Sequence, residues 1–579
     1  VTTFRPAEPD TDGISRRSLL RRAAWGAGAV AAGGLLAGPA SAGSFGPATA
    51  AALPAQGLRF ARVRPTSVRQ LAALAAFDET HAVLPDGSME LLLWPGDEKR
   101  LKATGVDYQV FAPREDVAAR STGLAPQPGE RSAYRLYADY GNDLAALAAR
   151  FPEQARLVIL PEKSLEGRTA YGIEIADDVE AAQTDGRPTF WVDGAHHSRE
   201  WPSSEYSIMF AYDLLESFGR DDRVSSLLQQ IKVVVVPVVN PDGFVTSREA
   251  VYATTPADQD TPWAVTGTMT GWRKNRRSFT GALYGPANTR SELNLDAHGV
   301  DPNRNYPFYW GGEGGGGDPT SQTYGGATPF SEPEARNIAS LMKGQQVTAY
   351  LTNHTYGRLC MRPWGYTNHA SPDSAFQEDL GRQMCEFTKY RNQIGLSLYP
   401  TAGTSRDWSY GALRTIVYTF EHGGTFHPAY ASTVPQTYAL NRPAWLLLAE
   451  AAADVRNHGV VEGRAVDADG APVAGAEVVL TKTFRTPTAA QFEKSSNYSA
   501  YRTKSTDGIE ETIRSVARTR SDGSFVVHAN PSTRPTVVQD GRESERWTFA
   551  VVDGGRSSAE QTLLLERGTR ARVGDVVLS

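Results

Sequence analysis

The chain has 579 residues, 40% of them hydrophobic and 21% charged, with a formal net charge of -6 and a pI near 6.0. That length exceeds one ordinary core, so two to four soluble domains are expected. The mild acidity, with no basic tract interleaved with aromatics, argues against nucleic-acid binding. Two cysteines, Cys360 and Cys385, rule out a disulfide scaffold or a thiolate zinc finger; their spacing leaves pairing open.

Residues 1–42 stand apart. "SRRSLL" places Arg16 and Arg17 before the weakly apolar "AAWGAGAVAAGGLLAGPASA", which ends in Ala40-Ser41-Ala42. A basic segment, an apolar stretch broken by Gly and Pro, and an A-x-A end describe a cleaved export signal rather than a membrane span. The paired arginines resemble the twin-arginine type. A secreted, extracellular protein is therefore expected, and the Ala/Gly/Arg-rich signal fits a bacterial source.

Residues 43–132 begin as a small α/β open-sheet module. "RFARVRP", "MELLLWP" and "VDYQVFA" read as strands; Ser67 and Gln70 fit a capping box opening "SVRQLAALAAF", and "DEKRLKATG" reads as a short helix. The polar, Pro/Gly-rich stretch 112–132 reads as a linker. Over 133–458 the pattern becomes a long α/β region. Its apolar runs "TFWVDG", "VVVVPVV", "VTAYLT" and "TIVYTFE" are nearly continuous, as strands covered on both faces should be. Helical segments such as "SSEYSIMFAYDLLESF" and "EPEARNIASLM" lie between them. From 459 to 579 alternating apolar residues around Asp-Gly turns read as an all-β sandwich, with a polar insertion near 484–515.

The chemistry concentrates at strand ends. His197 and Glu200 follow the first apolar run, "NPDG" the second and His354 the third, where ligands bind in open α/β sheets. A His and a Glu three apart on a turn entering a helix can face one point and form part of a zinc site, which needs a third ligand and an open position for water. The same spacing also suits an ordinary helix start, where the dipole favours Glu. Adjacent side chains at a strand end point apart, so His196 is not expected to join His197.

Six motifs occur in order: "HSREW", "NPDGF", "WRKNRR", "DPNRN", "LTNHTY" and "LYPTAGTSRDWSY" followed by "TFE". With them, residues 133–455 resemble the zinc carboxypeptidases. The resemblance implies a central mixed twisted sheet flanked by helices and one Zn2+ held by His197, Glu200 and His354, with a water acidified toward a pKa of about 7. It implies that Asp301 orients the first ligand histidine, that Glu421 acts as general base and then general acid, and that Arg273 steadies the oxyanion. Asn303 and Arg304 match the residues that grip the terminal carboxylate, Tyr399 the tyrosine that closes over substrate, and Arg199 a residue along the peptide path. Arg406 holds the position that sets side-chain preference, so acceptance of C-terminal Glu or Asp is expected if it points inward; an Arg turned outward or paired with a carboxylate is the alternative. Residues 58–111 resemble the family's pro-segment, and the C-terminal sandwich resembles a transthyretin-like, carboxypeptidase-regulatory-like domain.

The resulting expectation is a secreted zinc metallocarboxypeptidase acting on peptide or protein C-termini. Two other readings stay open: a cell-wall peptide hydrolase acting on γ-D-glutamyl-diaminopimelate bonds, and a catalytically inactive peptide-binding module.

Overall fold

Four apolar runs form the middle of the main sheet, and their burial explains their composition. The computed structural model describes residues 59–67, 70, 73–74, 77–83, 88–93, 97–111, 131–249, 271–277, 299–317, 319, 321–489, 508–532 and 546–579. The expected export signal and residues 112–130 of the expected linker lie outside the described residues. The chain divides into two compact units, 1–113 and 114–579.

In the first unit, β1 (Arg59–Arg64), β2 (Asp78–Val83), β3 (Met89–Leu93) and β4 (Asp107–Phe111) make one sheet in the order β2-β3-β1-β4, with helix α1 at Asp97–Ala103. Ala61, Val63, Leu74, Leu91, Leu93 and Leu101 form its core. Strand β2, "DETHAV", has no apolar alternation and was not anticipated. The expected cap is present in shifted form: Gln70 N donates to Ser67 Oγ at 3.2 Å, while the Gln70 side chain accepts from Thr66 N at 2.8 Å.

The second unit opens with α2 (Tyr137–Arg150), β5 (Ala155–Ile159), β6 (Tyr171–Ile175), β7 (Thr189–Gly194), α3 (Trp201–Ser217), α4 (Asp222–Leu228), β8 (Lys232–Val236), α5 (Pro241–Arg248) and α6 (Pro333–Lys343). There follow β9 (Val347–Thr355), β10 (Leu359–Arg362), α7 (Ser374–Thr388), β11 (Arg391–Ile394), α8 (Ser405–Trp408), β12 (Ile416–His422) and α9 (Tyr430–Ala453). The eight strands run in the order β11-β10-β12-β9-β7-β8-β6-β5. β12, β9, β7 and β8 are parallel to their neighbours within that group, whereas β10 joins β12, and β6 joins β8, antiparallel. The four central strands are those read from the apolar runs.

Alternation sends side chains to two cores. Phe190, Val192, Val233, Val235, Leu351, Tyr418 and Phe420 pack with α3, α7 and α9 residues such as Phe210, Leu380 and Trp445. Trp191, Val234, Val236, Tyr350 and Val417 pack on the other side, with Ile338 and Met342 of α6. Both faces are covered, so the strands are mainly apolar between their ends, with Thr189, Lys232 and Thr348 near the N-terminal ends and the functional polar residues at the C-terminal ends.

The remaining strands, β13 (Gly459–Val466), β14 (Glu477–Thr486), β15 (Ile509–Arg518), β16 (Ser524–Ala529), β17 (Trp547–Asp553), β18 (Arg556–Ser557), β19 (Gln561–Leu563) and β20 (Arg570–Val577), form two sheets. One has the order β16-β13-β20; the other has β15-β14-β17-β18, with β19 on β17. Val461, Phe525 and Val576 of the first share a core with Leu480, Ile513 and Phe549 of the second. The expected insertion is narrower than 484–515: β14 continues to Thr486 and β15 starts at Ile509. Charged outward positions such as Glu510 and Arg514 had hidden the alternation. Cys360 and Cys385 carry free thiols.

Candidate metal centre

At the end of β7 the chain turns sharply. Ala195 adopts a left-handed φ of 50°, a conformation that side chains with a Cβ rarely take. A Cβ on Gly194 would lie 2.5 Å from the Ser203 carbonyl oxygen, so only glycine lets the first turn of α3 pack against the strand end. This tight turn presents His197 and Glu200 to the C-terminal end of β9, where His354 sits. Parallel pairing places Glu421 of β12 in register with His354. Residues far apart in sequence thus share one level of the sheet.

His197, Glu200 and His354 are all buried and form a cluster able to hold a metal ion. His197 Nδ1 lies 2.7 Å from Glu200 Oε1, and His354 Nδ1 lies 2.9 Å from Glu200 Oε2. The two Nδ1 atoms face each other at 3.2 Å. A proton between two nitrogens satisfies one pair only, whereas a cation accepts lone pairs from both imidazoles and the carboxylate together; the donor set fits zinc. Burial disfavours charge on Glu200, but the two histidines outweigh it and hold its carboxyl well below the usual carboxylate range. Burial lowers the pKa of His354, which keeps the ring in the neutral, ligating form.

The other expected residues surround this cluster. Asp301 Oδ1 lies 3.2 Å from His197 Nε2, on the ring edge opposite the cluster. Its Oδ2 accepts from Arg273 Nη2 at 2.8 Å and Nε at 3.1 Å. Burial opposes its ionisation, yet Arg273, His197 and Arg304 hold the Asp301 carboxyl well below its ordinary value. Asn303 Nδ2 lies 3.3 Å from His354 Nε2, and Arg304 Nη2 reaches Tyr399 OH at 3.5 Å. The Arg199 guanidinium sits 4.4 Å from the centre of the Phe426 ring.

Glu421 is 3% exposed, and among the described residues its Oε2 has no hydrogen-bond partner. Burial, then repulsion from Glu200, pushes its carboxyl well above the usual range, against the pull of Arg273, Arg406 and Arg304. Such a carboxylate is a stronger base than one in water. Arg406 points inward and is buried. Its Nε donates to Asp407 Oδ1 at 2.9 Å and its Nη2 to Thr401 Oγ1 at 3.2 Å; both expected alternatives, inward and paired with a carboxylate, are therefore present together. A Cβ on Gly365 or Gly395 would lie 2.1 or 2.2 Å from Arg406 Nη2, so two glycines make room for the guanidinium.

Sequence reasoning missed the layer behind the ligands. His196 turns away as expected, its Nε2 3.0 Å from Tyr306 OH, and its ring stacks 5.8 Å from that of His354. Asn353 Oδ1 meets His422 Nε2 at 2.9 Å, and Asn353 Nδ2 donates to Ser207 Oγ at 3.0 Å. "NPDG" serves as a helix cap: Asn240 accepts from Gly243 N at 3.0 Å, and its amide reaches the His196 carbonyl at 3.3 Å. The available signal was the polar end "TNHT" of a strand buried at every position.

A buried two-histidine, one-carboxylate cluster at the C-terminal strand ends of a mixed α/β sheet defines a mononuclear metalloenzyme. The zinc carboxypeptidase family model matches residues 140–443, and the chain belongs to that family as a zinc metallocarboxypeptidase. It is similar to mouse carboxypeptidase A4, at 26% identity over 378 residues, 62% of this chain and 81% of the relative. To mouse carboxypeptidase A2 it is 29% identical over 281 residues, 47% of this chain and 60% of the relative. The fold matches the crystal structure of carboxypeptidase A from Helicoverpa armigera with a TM-score of 0.55 at 21% identity, covering 69% of this chain and 98% of that one. Thrombin activatable fibrinolysis inhibitor matches with a TM-score of 0.53 at 20% identity, covering 69% and 99%.

Proposed function

We propose that the protein is a secreted enzyme that removes C-terminal residues from peptides, accepting Glu and Asp at the cleaved end. His197 Nδ1, His354 Nδ1 and the Glu200 carboxylate would hold the zinc. When bound, the ion supplies Lewis acidity toward the scissile carbonyl and makes water a nucleophile at neutral pH.

The chain's own groups do the rest. Glu421 takes the proton of the attacking water on a carboxylate oxygen and returns it to the leaving amine. Arg273, steadied by Asp301, faces the oxygen on which charge grows. Asp301 keeps His197 ligating through Nδ1 by accepting at Nε2. Asn303 and Arg304 grip the free terminal carboxylate, with Tyr399 closing beside Arg304 and Arg199 guiding the upstream peptide.

The observation that carries the finer reading is the inward, buried Arg406. Asp407 and Thr401 occupy its Nε and Nη2 sides, and among the described residues Nη1 makes no hydrogen bond. A buried guanidinium with a free donor is matched best by an anionic side chain. Comparing kcat/KM on peptides ending in Glu, Phe and Lys tests this: Glu is expected to lead, and a preference for Lys would end the reading.

Export and pro-segment roles complete the proposal. The export-signal pattern in residues 1–42 supports secretion; among the described residues, no helix is long and apolar enough to cross a membrane. The strand-helix order of residues 58–111 supports a pro-segment, and removal of residues 43–132 is expected to raise activity.

A further inference from the structure

The chemistry above makes no use of the C-terminal sheets, yet one of them places a carboxylate inside the catalytic core. Along β15 the buried positions are Glu511, Ile513, Ser515 and Ala517, so Glu511 is the one charged side chain on an otherwise neutral inward face. It is 2% exposed. Trp408 Nε1 donates to Glu511 Oε1 at 3.0 Å and Oε2 at 3.2 Å. The Thr486 hydroxyl donates to Oε1, and Lys343 Nζ donates to Oε2 at 3.3 Å.

Trp408 is the last residue of α8, the four-residue helix that carries Arg406. α8 runs directly into a five-residue π-helical segment, Ser409–Leu413, and a helical stretch this short is still marginal alone, so its anchors set its position. At its start, Ser405 N donates to Asn303 Oδ1 at 2.9 Å, and Tyr350 OH donates to Ser405 Oγ at 3.1 Å. In its middle, Asp407 Oδ2 accepts from Gly365 N at 2.8 Å. At its end, the Trp408 ring packs 5.4 Å from Tyr306 and 5.8 Å from Phe330, with its N–H on Glu511. Because Trp408 itself is fully buried, that N–H needs an acceptor, and Glu511 provides it.

We propose that Glu511 is a positioning residue for the substrate pocket: through Trp408 it fixes α8, and α8 in turn fixes Arg406 and the Asn303 amide. The C-terminal sheets are therefore part of the pocket's support. This rests on the reading of Arg406 and Asn303 given above.

The test uses the full, zinc-loaded chain and steady-state kinetics on peptides ending in Glu and Phe. Glu511→Ala is expected to raise KM about tenfold with kcat changed less than about threefold, and to narrow the Glu-over-Phe ratio. Glu511→Gln, whose amide oxygen still accepts the indole N–H, is expected to restore most of that loss. Trp408→Phe removes the donor and should reproduce the alanine result; it decides the matter alone if Glu511→Ala does not fold. Unchanged KM and terminus preference in the folded variants would overturn the proposal, as would a loss confined to kcat. An inactive wild-type chain would overturn the functional reading and this proposal together, whereas an active wild type with insensitive variants overturns this proposal only.

Discussion

Glu421 and Glu511 are both carboxylates with almost no exposure, at 3% and 2%, in the two halves of one unit. In the C-terminal sheets Glu511 accepts from Trp408, Thr486 and Lys343. In the central sheet Glu421 Oε2 has no hydrogen-bond partner among the described residues. Burying an acceptor without a donor opposes folding, so the matched Glu511 suits the positioning role proposed for it and the orphaned Glu421 suits the proposed role as base. The strands show the same contrast. β14 alternates buried and less buried positions, whereas β9 is buried throughout and ends in Thr352, Asn353, His354 and Thr355.

The sharpest way to break that comparison is Glu421→Gln. The variant should fold, keep its zinc and unfold no earlier than wild type, because burial already disfavours the charged form. Turnover should fall about 10²–10⁴-fold, measured as kcat on a good peptide substrate. A variant with near wild-type kcat would remove the distinction between the two carboxylates.

A smaller effect is expected one step out. Asp301→Asn leaves the three ligands in place but weakens the hold on His197 Nε2, so zinc affinity measured by competition with a chelator should drop about 10- to 100-fold. Unchanged affinity would show that Asp301 serves Arg273 alone.

The smallest effect concerns the junction between the halves, where His458 Nε2 meets His528 Nδ1 at 2.6 Å. Burial and the neighbouring His528 lower His458 to about 3, and burial and Arg570 lower His528 to about 4. Free histidine titrates near 6.5. The unfolded chain therefore binds more protons between about pH 3 and 6.5, and the stability these neutral rings contribute is complete above that window and lost as pH falls through it. The stability advantage of wild type over His458→Gln in denaturant titrations should shrink from pH 7 to pH 4.5. A constant gap would contradict the shift.

Much of this site was legible because its residues announce themselves locally. The four apolar runs read as strands covered on both faces, and "HSREW", "LTNHTY" and "TFE" put His197, Glu200, His354 and the proposed base Glu421 at strand ends, whereas "DPNRN" lies on the short helical turn Pro302–Arg304. What escaped is long-range. The Asn353–His422–Ser207 tie joins residues that no local pattern relates. Strand β2, "DETHAV", has no apolar alternation in its sequence to mark it, and only its pairing with β3 reveals it. Glu511 stood in a stretch that read as a polar insertion, since the carboxylate that anchors Trp408 looks like any solvated Glu until the two sheets meet the catalytic core.

The central claim is that His197, Glu200 and His354 bind one divalent cation together. Zinc content after equilibration at a fixed low free-zinc level, for wild type, His197→Ala and His354→Ala, tests it most directly. Wild type should hold about one zinc per chain and each variant almost none, with the fold retained by circular dichroism. Full zinc occupancy in a folded His354→Ala variant would contradict the account.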